Sequence, residues 1–436
     1  MSAWSIDRIT QALSGAMWTF SSLPDDNLAA TFVHRCFHRE SWREAGFGER
    51  TLMYAALPFA PFVTLVLVIV FTALNGRAIK KQTGKGMIRQ VREQVEIALQ
   101  CAILPPWYYI FELHDDDKRQ RASEYINRFE VKTCLYRILR DYNGGLPVPA
   151  ERSTSCIKDK LCFLSRCRKF SIATAPVLLI ASKGEVKSID WKGSGLPETD
   201  LFVKPLQGEN GRNAARWDYL GSGQYRRHDG KHATAEEVLE SLCRASWRRR
   251  RPFLVQPRLI SHREIANLAN GTLATVRVMS CRNEWGEFEA TNAVFRMAQD
   301  EAVVVDNFHR GGIAASIDLH TGELGSGTCG AWGSTGGGWY EQHHKTGVQI
   351  LHRKLPCWVE LLDLVRYAHG SAFPDQVVIG WDVALLDSGP CMIGINKAPD
   401  LDMIQRIGRH PLGNERLGKL LAFNLKRTVE AMHQPF

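Results

Sequence analysis

Apolar side chains are unevenly distributed along this chain of 436 residues. Residues 52–74, LMYAALPFAPFVTLVLVIVFTAL, are 23 positions without one charge. At about 1.5 Å per residue, a helix of that length crosses the roughly 30 Å hydrocarbon core of a bilayer. Buried helices of soluble proteins seldom run beyond about 14 purely apolar residues. The pattern therefore predicts one transmembrane helix over 52–74, kinked in its first half by Pro58 and Pro61, residues that membrane spans tolerate. Downstream, Ile88, Val91, Val95 and Leu99 recur at helical spacing and predict an amphipathic juxtamembrane helix over 82–103, ended by Pro105 and Pro106. A second helix is predicted over 120–142, with Ile126, Phe129, Leu135, Ile138 and Leu139 toward one face and Gly144–Gly145 closing it.

Pro147 and Pro149 mark a boundary, and from about residue 153 the texture changes to short β runs between glycine-rich turns. The runs are 176–181, 200–205, 252–257, 273–281, 289–297 and 377–386, with helical patterns at 235–250, 356–370 and 413–433. Strands with interspersed helices, rather than regular βαβ alternation, predict an α+β domain with mainly antiparallel sheets. The organisation is an N-terminal segment over 1–50, the span, a helical juxtamembrane region over 75–150 and the α+β domain over 151–436.

Charge orients this arrangement. The twenty residues after the span carry Arg77, Lys80, Lys81, Lys85, Arg89 and Arg92, against Arg35, Arg39, Arg43 and Arg50 in the twenty before it, which places the C-terminal side in the cytoplasm. Residues 1–30 carry Asp7, Arg8, Asp25 and Asp26 and lack the apolar core of a signal peptide. The net charge is +9, densest at Arg244 and Arg248–Arg251. Without aromatic interleaving, that cluster reads as a solvated face or one touching anionic lipid, not a nucleic-acid surface. The 11 cysteines show no CxxC and read as buried reduced thiols.

The chemistry is scattered over separate stretches. Gly325–Gly330 matches GxGxxG but continues into more glycine instead of a helix, so it reads as a mobile loop, either a lid or a plain connection. Lys160 lies in IKDKLCF. Lys204 ends LFVKP and is followed by Gly208 and Gly211, where an ammonium and exposed backbone N–H groups suit phosphate. Arg277 projects from ATVRV, and residues 305–318 bring Asn307, His309 and Arg310 before Gly311–Gly312. Residues 379–396 read as a hairpin that sets Asp382 on one strand and Asn396 on the return, hard oxygen donors of the kind Mg²⁺ prefers.

The order DK, FVKP, VQP, TVRV, NFHRGG and WDVAL, then the return strand and Asn, resembles the ATP-grasp superfamily over about residues 108–425. It is most similar to the sugar-transfer-associated branch, with the NxHRGG segment similar to α-L-glutamate ligases. The resemblance implies ATP held between two α+β lobes, with Lys160 and Lys204 on phosphates and the Val255–Gln256 segment at adenine. It further implies Arg277, Arg310 and Asn307 in catalysis, with Asp382 and Asn396 on Mg²⁺. The implied chemistry is phosphorylation of a substrate carboxylate followed by attack of an amine or other nucleophile. One departure stands out: the family's metal-bridging glutamate, two residues before the asparagine, is Gly394 here, with Asp400 and Asp402 the nearby carboxylates that could replace it. The expectation is a membrane-anchored, ATP- and Mg²⁺-dependent ligase in cell-surface polysaccharide or envelope biosynthesis, acting on a carboxylate or sugar-linked substrate. Gly394 keeps a catalytically silent nucleotide-binding scaffold as the alternative, and a phosphotransferase that stops at the γ-phosphate as a third.

Overall fold

The computed structural model describes Thr19 and residues 26–207, 213–300, 304–306, 308, 311–329 and 338–433. The fold is α+β, with two seven-stranded sheets behind a helical N-terminal third. The first sheet contains β1 (Leu179–Ser182), β2 (Glu185–Ser188), β3 (Leu201–Pro205), β4 (Ala215–Gly221), β5 (Gln224–Arg227), β6 (His232–Thr234) and β7 (Phe253–Pro257), in the order β2-β1-β7-β3-β4-β5-β6. The second contains β8 (Thr275–Arg282), β9 (Phe288–Met297), β10 (Ile313–Ile317), β11 (Leu324–Cys329), β12 (Trp339–Tyr340), β13 (Val378–Leu386) and β14 (Gly389–Asn396), in the order β12-β11-β10-β9-β8-β13-β14. Every strand pair within the two sheets is antiparallel.

The apolar runs found their places. All eight residues of β8 are buried, because β9 and β13 flank it and helices lie on both its faces. Its own core joins Val276, Val278, Phe295, Trp381 and Val383 to the helix Trp358–Ala372. The first sheet has a separate core of Leu201, Val203, Trp217, Tyr225 and Val255, sealed by the helix Ala235–Arg249. That helix begins in a capping box, Thr234 with Glu237, which satisfies two otherwise orphaned N–H groups.

Several expectations are corrected. Residues 120–142 are not one helix. A 3₁₀ turn at Ala122–Glu124 precedes extended residues that bury Tyr125 and Ile126, and only then come a π-helical turn, Glu130–Leu135, and the α-helix Tyr136–Asp141. The described part of GxGxxG is strand β11, not a loop. Gly325 lies against the Ser316 hydroxyl of the neighbouring strand, which would have to turn away to admit a Cβ there. The thiols are not all reduced: Cys156 and Cys162 are joined, their Cα atoms brought to 4.5 Å by the two short helical segments that carry them.

The helical third consists of α1 (Ala29–Arg43), α2 (Phe47–Ala56), α3 (Ala60–Thr83), α4 (Met87–Cys101) and α5 (Pro105–Ile110). A 3₁₀ turn at Leu57–Phe59, beside Pro58 and Pro61, joins α2 to α3, so that Arg50–Thr83 forms one helical rod of 34 residues. It is long and apolar enough to cross a membrane. Helix α4 occupies the middle of the predicted 82–103 segment, but the face it buries is Gln90, Glu93, Gln94, Ile97, Ala98 and Cys101, while Ile88 and Leu99 point outward.

Candidate functional site

The site forms on the second sheet, where alternation fixes which side chains share a face. Arg277 on β8 stands directly across from Asp382 on β13, and Asp382 in turn faces Gly394 on β14. Gly380 is opposite Asn396; its missing side chain leaves room for Pro399, whose Cβ is 2.9 Å from where a Gly380 Cβ would sit. One strand further, Arg296 on β9 pairs across the ladder with Thr275.

These positions produce a dense charged cluster. Arg277 donates from Nε to Asp382 Oδ1 at 2.8 Å and from Nη2 to Oδ2 at 3.1 Å. Arg296 Nη2 donates to Oδ1 at 2.7 Å, and Asn396 Nδ2 to Oδ2 at 3.0 Å. Arg296 also donates to Thr275 Oγ1 at 2.6 Å, and the Thr275 hydroxyl donates to Asp306. Burial alone would raise the Asp382 pKa, but the two guanidiniums and Asn396 outweigh it and hold the carboxyl at about 2. Asp306 goes the other way: burial lifts its pKa, and Arg296 and Thr275 only partly offset this.

The lysines approach from the first sheet. Lys204, half-buried at the end of β3, is depressed to about 8 by burial and then by the charge of Lys160, with Cys391 and Asp382 opposing. Lys160 opens the helix Lys160–Lys169, capped by Asp159, and its Nζ donates to the Leu206 carbonyl at 2.9 Å, just beyond β3. The segment between this helix and β1 docks on the second sheet, where Met392 N of β14 donates to the Ala173 carbonyl at 2.8 Å.

Thus Arg277, Asp382 and Asn396 come together, and Lys204 senses both Lys160 and Asp382. Val255 and Gln256 are placed differently. They sit on β7, a central strand paired on both sides; Val255 is in the core and the Gln256 carboxamide donates to the carbonyls of Ala175 and Pro176. Gly208, Gly211, Asn307 and Arg310 lie outside the described residues. The sequence reading missed Arg296, Thr275 and Asp306. The signal for Arg296 was a single cation in the otherwise apolar end of β9, and Asp306 immediately precedes the asparagine of the NFHRGG stretch.

The family model for sugar-transfer associated ATP-grasp matches residues 146–416. This chain belongs to that family. No curated protein matches it. Among solved structures, the ATP-grasp chain is similar to an L-amino acid ligase from Bacillus licheniformis at 10% identity and a TM-score of 0.35, covering 71% of this chain and 62% of that one. It thus spans less than two thirds of that ligase's length. A D-alanine–D-alanine ligase from Bacillus anthracis complexed with ATP matches at 12% identity and a TM-score of 0.36, over 70% of this chain and 77% of that one.

The described side chains do not compose a magnesium centre. A carboxylate offers about four lone-pair positions, and those of Asp382 meet the four donors named above. An ion would have to displace one of these donors. Gly394 contributes no ligand. Asp400 is engaged by Arg128 and by capping Asp402 N, and Asp402 accepts from Trp107 Nε1 at 2.7 Å. Among the described residues, no group of three His, Cys, Asp or Glu side chains could hold a metal.

Proposed function

We propose that this ATP-grasp protein binds ATP between its two sheets and uses it, as a ligase, to activate a substrate carboxylate. The observation that carries this reading is the gathering of Arg277 and Arg296 around Asp382, with Lys204 close enough to feel the charges of both Asp382 and Lys160. Polyphosphate binding and phosphoryl transfer depend on positioning and on cations facing the equatorial oxygens, and these side chains supply both. In the reaction, a carboxylate oxygen bonds to the γ-phosphorus as the bond to the β-bridging oxygen breaks, leaving ADP and an acylphosphate. A nucleophile such as an amine then takes the acyl carbon, and phosphate leaves. Attachment to a membrane through Arg50–Thr83, with the ATP-grasp domain in the cytoplasm, and service to polysaccharide or envelope synthesis complete the reading.

A second reading, a nucleotide-binding scaffold without turnover, is favoured by Gly394 and by the saturated Asp382 carboxylate. The test is calorimetric titration of the full chain with ATP, alone and with magnesium, followed by ADP release with candidate carboxylates and amines. Binding that weakens at least tenfold in Lys204→Ala supports the site. Equal titration of parent and variant removes the lysine assignment, and binding without ADP release selects the scaffold.

A further inference from the structure

The helical third is built with its polarity reversed. Along α3 a single stripe faces the body: Ala60, Thr64, Val68, Thr72, Asn75, Gly76 and Ile79. It meets α4 and α5 through polar groups. Gln94 Nε2 donates to Thr72 Oγ1 at 2.8 Å, and Gln90 Nε2 to the Gly76 carbonyl at 3.1 Å. Tyr109 donates to Gln90 Oε1 at 3.2 Å. The outward face, in contrast, is apolar: Phe59, Phe62, Leu65, Val66, Ile69, Val70 and Leu74 are all exposed, Leu74 to 70%. On α4, Ile88 and Leu99 also point outward, Ile88 88% exposed. Water would drive the opposite arrangement. Small and hydrogen-bonding residues within the helix contact, with apolar residues outside it, is the arrangement lipid selects. Exposed Arg77, Lys80 and Lys81 border the outward face, and no acidic residue lies between Arg50 and Thr83, which suits anionic headgroups.

Both ends of the rod return to the same body. At its start, Arg50 donates to the carbonyls of Trp42 and Arg43, at the end of α1. At its finish, Lys85 pairs with Glu93 at 2.9 Å and Asp116 at 2.7 Å. Helix α1 is itself locked into the core: His34 Nδ1 lies 2.7 Å from Glu130, both side chains nearly inaccessible, and Val33, Cys36 and Phe37 join the core that includes Met279 and Val294 of the second sheet. A helix that crossed the bilayer would put α1 on the far side from those partners.

We propose that Arg50–Thr83 is a monotopic anchor: its outward face enters one leaflet of a lipid bilayer and the chain leaves on the side it came from. At roughly 1.5 Å per residue the rod is about 50 Å long, well beyond the roughly 30 Å core it would otherwise have to cross. This rests on the membrane attachment in the reading above and revises its single-pass topology. The test uses the full chain with an epitope at each end, in native membranes prepared as right-side-out and inverted vesicles and treated with protease. Both epitopes should be digested in one preparation and protected in the other; protection of opposite ends would establish a span and overturn the proposal. A Val66→Glu/Ile69→Glu variant should move from the membrane to the soluble fraction with its helical circular dichroism intact. A parent chain found wholly soluble would overturn membrane attachment itself, as would a parent that is a soluble dimer made monomeric by the two substitutions, which would assign the face to a second copy. Neither readout involves nucleotide, so failure here leaves the ATP reading standing.

Discussion

Asp382 is where residue-level chemistry is most concentrated, since one carboxylate balances two guanidiniums in a partly closed site. Removing it with Asp382→Ala leaves Arg277 and Arg296 facing each other, and by analogy with other disrupted buried pairs should cost about 3 kcal/mol or more. Denaturant unfolding measures this; a loss below about 1 kcal/mol would mean the cluster is better solvated than its geometry indicates. Gly394 offers the converse experiment. A Cβ there meets nothing within 4 Å and the backbone is not left-handed, so Gly394→Glu should fold normally and set a second carboxylate opposite Asp382. Thermal melts with and without magnesium should then separate in the variant and coincide in the parent. Lys204 sets a pH dependence. Its ammonium is present below about 8 and lost above it, so ATP affinity should fall as pH rises through that region, displaced somewhat upward because bound phosphate stabilises the charged form. Titrations at pH 7 and 9 on the parent and on Lys204→Met check it, with the variant insensitive to pH. Lys160, Lys204, Arg277, Asp382 and Asn396 could be singled out in the sequence because each falls within an ordered series of short motifs. Arg296 could not, because its part depends on the β8–β9 register, which one strand does not reveal.

At the scale of elements, long apolar strands were legible and short polar ones were not. β8 and β13 read directly from their runs, whereas β2, β5 and β6 lie toward the edges with few buried side chains and no periodic pattern. Helix α4 shows the deeper difficulty. Its apolar positions have helical spacing, but the spacing identifies an amphipathic helix without saying whether the apolar face meets protein or lipid. Helix α1 was unassigned, since its docking depends on long-range contacts, the His34–Glu130 pair and the apolar Val33, Cys36 and Phe37 among them. Burial of His34 would lower its pKa, yet the charge and hydrogen bond of Glu130 raise it overall. A raised folded-state value means that the pair contributes fully below the ordinary histidine pKa and that this contribution is lost as pH climbs through the folded value. Hydrogen exchange across α1 should therefore be slower, after correction for intrinsic rates, at pH 6 than at pH 8. A His34→Gln variant should lose the difference, and an unchanged profile would show the pair to be unimportant for docking.

For the whole molecule, the sequence divided the chain into a tether and a separate catalytic domain, and the packing joins them differently. The core containing Val33, Cys36 and Phe37 of α1 also contains Trp107 and Tyr109 of α5, Met279 and Cys281 of β8, and Leu417, Leu420 and Leu421 of the C-terminal helix Arg416–His433. Helical third and second sheet thus share one apolar interior, with the charged cluster on strands that this interior supports. Deleting residues 1–46 would strip Val33, Cys36 and Phe37 from that interior and leave Glu130 buried without His34, two losses each worth several kcal/mol. For a chain of this size that corresponds to a fall in melting temperature of roughly 5–10 °C. Nucleotide should then restore part of the stability, since ATP at a hundred times its Kd adds about 2.7 kcal/mol to a protein that binds it only when folded. Calorimetry of the parent and the deletion, each with and without ATP, separates the possibilities. A deletion that melts within about 2 °C of the parent would make the N-terminal helices a detachable tether. A large fall partly recovered by ATP would establish that α1 stabilises the body carrying the charged cluster and that the nucleotide site survives its loss.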